Sequence, residues 1–186
     1  DEASRRWMIP KGGGSRVTDA AVLAGLQWLA DHQEYDGHWD SCKYGAGPKT
    51  DTACTSLALL AFLGYGHTER VGKYSDNVRR AVEWLISKQN AEGLVFDLTD
   101  AGGHRASGYP HAIAGLALAE AAGMARVPAT NKAAQKAVDY SCNVHQNGEG
   151  YEKLGWRYYP KQAGDLSVTG WFIMQLKSAK VAGLSA

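Results

Sequence analysis

Amphipathic helical segments recur along this chain at regular intervals. In residues 18–33 and 76–90, apolar side chains return every three or four positions, and polar side chains occupy the opposite face. This period is typical of helices that bury one face and turn the other to water. Residues 131–146 are a weaker third copy of the same pattern. Thr18 or Asp19 suits the N-cap of the first helix, because both side chains accept hydrogen bonds from open backbone N–H groups.

Three uncharged stretches alternate with these segments. Residues 52–63 and 166–176 contain no charged side chain, and residues 111–119 contain none when His111 is neutral. A helix that is apolar all round must be covered on more than one side, so we expect these stretches to be inner helices. The residues just before them suit N-caps, and they are Asp51, Ser107 and Asp165. The nearest approach to a strand, residues 93–96, is short and flanked by loop.

The alternation predicts an all-α fold of about three helical hairpins. Each hairpin pairs an amphipathic outer helix with an apolar inner helix, and hairpins placed side by side form a double-layered α/α array with a concave inner wall. Residues 1–17 form a non-repeat segment before the first hairpin. We place the repeats at approximately residues 18–73, 74–129 and 130–186, in a single domain over residues 18–186.

The hairpins share a sequence signature at a spacing of about 56 residues, in which an aromatic residue is followed by a glutamine. The members are Trp28, Gln33 and Trp39 in the first copy, Trp84 and Gln89 in the second, and Tyr140 and Gln146 in the third. Val95 replaces the second tryptophan in the second copy, and the third copy has one extra residue before its glutamine. Recurrence at a fixed period indicates a repeat architecture, in which neighbouring units bury each other's apolar faces.

These residues resemble the QW motif of squalene and oxidosqualene cyclases and of protein prenyltransferase β subunits. The first copy, from Ala24 to Trp39, reads A-G-L-Q-W-L-x-x-x-Q-x-x-x-G-x-W, and the second matches it as far as Gly93. The resemblance implies an α/α toroid in which the motif ties neighbouring repeats together, away from the catalytic cavity. A glutamine at the end of an outer helix can bond the open N–H groups of a neighbouring helix start. We therefore assign the aromatic and glutamine residues of the motif to fold stability.

The resemblance also implies an incomplete ring. The family's toroid typically has about twice as many hairpins as this chain, which leaves half a toroid with apolar edges at both ends. We expect those edges to be covered by a homodimer partner, by a flanking domain or by residues 1–17.

The acid motif of the cyclases is incomplete in this chain. Protonation-initiated cyclases of this family use an Asp-x-Asp-Asp-Thr-Ala motif, whose middle Asp must be held protonated in a low-dielectric cavity. The D-T-A sequence at residues 51–53 resembles the end of that motif, but Thr50 stands where the acid would be and Lys49 precedes it. A second carboxylate pair, Asp97 and Asp100, has the wrong spacing and lies in a glycine-rich loop. The sequence therefore does not support cyclase chemistry.

A zinc site is the other chemistry that the resemblance implies, because prenyltransferases hold the acceptor thiolate on zinc. Their ligands are an Asp-x-Cys pair and a distant His, at the starts of inner helices. Asp51 and Cys54 are three positions apart instead of two, His111 starts the next inner helix, and Asp165 adds a carboxylate from the third repeat. These groups meet at one rim if the inner helices lie side by side. Since the spacing departs from the family pattern, we predict no metal and no cofactor, with zinc as the alternative.

The densest aromatic stretch of the chain is residues 155–160, and Trp171 follows in the third inner helix. Aromatic side chains near the start of an inner helix can line an apolar or sugar-binding pocket. The interpretation that we favour is that they plug one open end of the array. The amino-acid sequence of this stretch is similar to that of bacterial prenyltransferase/squalene-oxidase repeat proteins, a group without a general assigned activity.

Composition and charge exclude several classes of function. The net charge of +1, with basic residues spread along the outer helices, argues against nucleic acid as a partner. The longest apolar run, residues 57–63, is too short to span a bilayer.

Three cysteines without a C-x-x-C pair favour buried free thiols over a single disulfide. The chain starts at Asp1, which suggests a processed protein or a piece of a longer one, and its sequence specifies no compartment.

We therefore expect a non-catalytic repeat domain that binds a protein partner or an apolar small molecule on its concave face. The alternative is an isoprenoid-processing enzyme domain, prenyltransferase-like or cyclase-like, whose missing groups come from a second subunit or from sequence outside this chain. A structural spacer is a third interpretation. The candidate ligand-binding residues at the rim are Asp51, Cys54, His111, Asp165 and Trp171.

Overall fold

Six α-helices dominate the computed structural model, which describes residues 11–45, 47–101, 107–145 and 155–186. They are α1 (Arg16–Asp31), α2 (Asp51–Gly64), α3 (Ser75–Ser87), α4 (Gly108–Ala125), α5 (Pro128–Tyr140) and α6 (Leu166–Ala182), with a π-helical turn, Ser141–His145, directly after α5. Across these ranges the only β pairing is an isolated bridge between Gln89 and Val95. The all-α prediction is confirmed, and each predicted helix is present. None of the helices described is both long and apolar enough to cross a membrane.

The chain divides into two compact units, residues 1–32 and residues 33–186. The described part of the first unit contains α1, which starts from a reciprocal capping box. The backbone N–H of Thr18 donates to Ser15 Oγ (3.2 Å), and the backbone N–H of Ser15 donates to Thr18 Oγ1 (2.8 Å). The predicted N-cap at Thr18 or Asp19 is therefore wrong, because Ser15 caps the helix one turn earlier.

Within the second unit, α4 contacts α2, α5 and α6 extensively, and most of its residues are buried. In contrast, α6 buries a single stripe, formed by Val168, Phe172, Gln175 and Ala179. Elsewhere on this helix, Leu166 is 91% exposed and Ile173 is 56% exposed. The expectation that the uncharged helices are covered on more than one side therefore holds for α4 and is wrong for α6.

The glutamine of the first repeat fastens the start of α3. Gln33 Nε2 donates hydrogen bonds to the carbonyl oxygens of Gly37 (2.9 Å) and Asn77 (3.0 Å), and Gln33 Oε1 accepts one from Asn77 Nδ2 (2.8 Å). The backbone of Gly37 has a φ of +102° and lies against the carbonyl of Arg80 in α3. The bonding differs from the expected pattern, because the glutamine amide donates to carbonyl oxygens and accepts from no backbone N–H group.

The second repeat fastens α5 in the same way. Gln89 Nε2 donates to the carbonyl oxygens of Gly93 (3.2 Å) and Ala133 (2.9 Å), and Gly93, with a φ of +106°, lies against the carbonyl of Lys136. The contacted residues are therefore equivalent in the two repeats: Ala133 corresponds to Asn77, and Lys136 corresponds to Arg80. The third glutamine of the series, Gln146, lies outside the described residues.

A second repeated contact joins each loop to an uncharged helix. In all three repeats a backbone N–H donates to a side chain in the first two turns of α2, α4 or α6, and this bond is buried in the first two repeats and partly buried in the third. These bonds join Trp39 N to Thr55 Oγ1 (3.1 Å), Val95 N to His111 Nδ1 (3.1 Å) and Trp156 N to Thr169 Oγ1 (3.0 Å). Trp156 thus takes the position of Trp39 in the third repeat. Its ring stacks on Phe172 with 5.1 Å between centroids, so this residue of the aromatic stretch belongs to the core.

The motif aromatics differ in burial. Trp39, Trp84 and Tyr140 are buried in the second unit, whereas Trp28, in α1, is 48% exposed and stacks on His32. All three cysteines are free, but Cys42 is exposed, and Cys54 and Cys142 are only partly buried. The prediction of free thiols agrees with the structure, and the prediction that they are buried is wrong for Cys42.

Candidate functional site

The first rim candidate, Asp51, holds the loop before α2 in place. Its carboxylate accepts hydrogen bonds from the backbone N–H (2.9 Å) and hydroxyl (2.7 Å) of Ser41, and Lys49 Nζ lies 3.2 Å away. Thr50 is the N-cap of α2, and Asp51 is the first residue of the helix. The prediction that Asp51 caps this helix is therefore wrong. Burial alone would raise the pKa of Asp51, but the bonds from Ser41 and Lys49 lower it below its ordinary value.

Asp100 provides the cap that Asp51 does not. Its two carboxylate oxygens accept hydrogen bonds from the backbone N–H groups of Asp51 (2.9 Å) and Thr52 (3.0 Å). These N–H groups have no partner within the helix, and a negative charge at a helix start is favourable. The carboxylate of Asp100 therefore serves as an N-cap from a distant loop.

The third carboxylate of this cluster, Asp97, is strongly held in the ionised form. Burial would raise its pKa, but an ion pair with Lys88 (2.8 Å) and hydrogen bonds from Thr99 lower the pKa to about 2. A carboxyl that protonates an alkene must keep its proton near neutral pH, which requires a raised pKa. The pKa values of Asp51 and Asp97 are shifted in the opposite direction, so this cluster is suited to structure.

Replacing Asp100 with alanine is expected to lower the free energy of unfolding by about 1–2 kcal/mol, because two N–H groups of α2 lose their acceptor. Urea unfolding followed by circular dichroism measures this difference. Leu98→Ala is the matched control, since Leu98 belongs to the same loop and is exposed. If both variants lose the same amount, the cap from Asp100 does not stabilise α2.

The metal-ligand candidates occupy different environments. Cys54 lies one turn after Asp51 in α2, and its thiol pKa is raised by burial and by the nearby carboxylates of Asp51 and Asp100. Asp165 is the N-cap of α6, where it accepts a hydrogen bond from Val168 N (2.8 Å). Within the described ranges, no group of three or more histidine, cysteine, aspartate and glutamate side chains is placed to hold a metal ion.

His111 is fully enclosed, and protein groups contact both of its ring nitrogens. Nδ1 accepts from the backbone N–H of Val95 (3.1 Å), which leaves Nε2 to donate to Ser141 Oγ (3.0 Å). Ser141 Oγ in turn lies 2.9 Å from Gln175 Oε1 in α6. Burial, with a smaller contribution from nearby His145, lowers the pKa of His111 to about 3. A metal ion at Nδ1 would have to displace the Val95 N–H, so the geometry assigns His111 to the core.

The fifth candidate, Trp171, is partly buried against a cluster formed by Ala112, Trp156, Val168 and Phe172. It therefore packs beside the core at the start of α6. Of the five rim candidates, His111 lies inside the core and Asp165 caps α6, and none of the five lines the groove described next.

The sequence predicts an apolar ligand on a concave face, and the structure has an apolar groove on the three uncharged helices whose residues the sequence analysis did not name. It has a volume of about 440 Å³ and runs between the C-terminal part of α2 and the facing parts of α4 and α6. Its lining residues are Leu60, Leu63, Gly64, Leu116, Glu120, Ile173, Met174, Lys177 and Ser178. Small-molecule sites are typically concave, mostly apolar and of this size, with a few polar groups.

The polar side chains of the groove are Glu120 on α4 and Lys177 and Ser178 on α6. Glu120 accepts a hydrogen bond from the hydroxyl of Ser178. Lys177 is exposed, and no described residue forms an ion pair or hydrogen bond with its ammonium group. One free cation therefore borders an otherwise apolar surface. The signal in the sequence is Lys177, the charged residue that directly follows the third uncharged stretch.

Comparisons of the chain with protein-family models, with curated proteins and with solved structures find no match. The resemblance to the cyclase and prenyltransferase repeats, and the expected absence of a cofactor, stay predictions.

Proposed function

We propose that this chain is a non-catalytic α/α repeat domain, of the type found in cyclases and prenyltransferases, that binds an apolar small molecule in the groove between α2, α4 and α6. The observation that carries the proposal is the groove itself, in which Leu60, Leu116 and Ile173 face a common space. Exposed apolar surface of this kind is unfavourable in water unless something covers it.

The repeated contacts support the repeat-domain part of the proposal. Gln33 and Gln89 bind equivalent carbonyl groups of α3 and α5, one repeat apart. In addition, α2 and α6 both pack against α4, as neighbouring inner helices of an α/α array do. We infer a partial toroid from these contacts.

The electrostatics favour binding over catalysis. The carboxylates of Asp51 and Asp97 have lowered pKa values, and the buried His111 has no free lone pair. These three side chains are therefore suited to holding the fold together, and none of them lines the groove. The isoprenoid-enzyme alternative needs a catalytic group other than Asp51, Asp97 and His111.

Titration with the neutral fluorescent probe N-phenyl-1-naphthylamine tests the proposal. Saturable binding by the whole chain is expected, and Ile173→Gln is expected to weaken it by roughly tenfold, because it removes apolar contact area. Val181→Gln is the matched control: Val181 is also in α6 and is 77% exposed, but it does not line the groove. No saturable binding, or equal losses in the two variants, contradicts the proposal.

A further inference from the structure

We infer that the occupant of the groove is a single-chain amphiphile with one negative charge, such as a medium- or long-chain carboxylate, whose head group pairs with Lys177. This inference rests on the proposed function, because it takes the groove as the binding site and adds the chemistry of its ligand.

The arrangement of polar and apolar groups carries the inference. Leu116, Ile173 and Met174 provide a wall that suits an alkyl chain, and Lys177 is on the same helix as Ile173, one turn further along. Its ammonium forms no ion pair or hydrogen bond with a described residue, so it is available to a ligand. A carboxylate beside it gains a charge-assisted hydrogen bond while the alkyl chain leaves water.

The charge of the head group follows from the second ionisable side chain of the groove. Glu120 adds one carboxylate, which the hydroxyl of Ser178 holds in place. Glu120 repels every negative charge on a head group, but only the first charge can pair with Lys177, so each further charge adds repulsion without a second cation. A neutral head group would leave Lys177 unpaired. One negative charge is therefore the best electrostatic match.

Competition between decanoate and 1-decanol tests this inference, because the two compounds share their alkyl chain and differ in the charge of the head group. Each compound displaces N-phenyl-1-naphthylamine from the whole chain at pH 7.5. We expect decanoate to bind about two- to fivefold more tightly than 1-decanol, because Lys177 is exposed, and we expect added salt to reduce this preference.

The variants Lys177→Met and Lys180→Met separate a local contact from net charge. Both remove one positive charge from the same helix, but Lys180 does not line the groove. Lys177→Met should abolish the preference for decanoate and leave 1-decanol binding nearly unchanged, whereas Lys180→Met should keep the preference. Equal losses in both variants, or no preference in the wild type, overturn the inference.

The outcomes also distinguish this inference from the proposed function. If 1-decanol and the neutral probe bind but decanoate has no advantage, the apolar site stands and the anionic ligand is wrong. If neither the probe nor 1-decanol binds, both proposals fail. A second copy of the chain is the other possible occupant of the groove, and sedimentation velocity tests for it. A dimer that forms without ligand and that Ile173→Lys dissociates would show that a second copy fills the groove, and would overturn the inference.

Discussion

Replacing Gly93 with alanine is expected to lower the free energy of unfolding by about 3 kcal/mol. Two independent costs add at this position. The backbone φ of +106° is strained for any residue with a side chain, and an added Cβ would lie 2.1 Å from the carbonyl oxygen of Lys136. Relief would require the loop to move away from α5, which would also strain the bonds that Gln89 donates to Gly93 and Ala133.

Gly170→Ala is the matched control for this variant. Gly170 lies within α6, has an ordinary helical φ, and an added Cβ would meet no heavy atom within 4 Å. Since alanine favours the helix, Gly170→Ala should stabilise the protein by about 0.5–1 kcal/mol. Urea unfolding monitored by far-UV circular dichroism measures both variants. If Gly93→Ala loses no stability relative to the wild type, the close approach of this loop to α5 is wrong.

The sequence predicts the helices well because their apolar periodicity is local. The ends of the helices depend on particular side chains, and these are harder to predict. Ser15 caps α1 because Thr18 is available three positions later to complete the capping box. The cap of α2 comes from Asp100, which is 49 residues from Asp51 in the sequence, so no local pattern indicates it.

The third repeat shows how an insertion is accommodated. The sequence has one extra residue between Tyr140 and the next glutamine, and the chain forms a π-helical turn at Ser141–His145. A π-helical turn contains one more residue than an α-helical turn, which matches the one extra residue of this repeat. The turn also places Ser141 Oγ 3.0 Å from His111 Nε2. The insertion was visible in the sequence, but this contact between repeats was not.

The residues that line the groove could not be predicted because the uncharged stretches resemble one another in composition. In the sequence, all three stretches are apolar on every face. In the structure, α4 is enclosed by its neighbours, whereas α6 has one buried stripe. Which of several apolar helices remains uncovered depends on the number of neighbours that each has in the assembled fold, and hydrophobic periodicity carries no information on that number.

Acidification from pH 7.5 to 4.5 is expected to destabilise the protein by several kcal/mol through its buried histidines. The unfolded chain binds protons at histidine near pH 6.5, whereas burial lowers the pKa of folded His111 to about 3 and also lowers that of His145. Between these values the unfolded state binds more protons, so stability rises with pH. The histidine contribution is therefore complete above about pH 6.5 and is lost as the pH falls toward 3.

His111→Thr isolates this effect, because the first and third repeats use threonine to accept the equivalent backbone hydrogen bond. The variant should be less stable at pH 7.5, since it leaves a cavity beside Tyr140 and Phe172. Its stability should fall much less between pH 7.5 and 4.5, so that the two proteins converge in acid. Asp97 acts in a lower pH window, because its pKa is about 2 in the folded protein. Urea unfolding across this pH range makes the comparison, and parallel losses in the wild type and the variant would exclude His111 as the group that titrates.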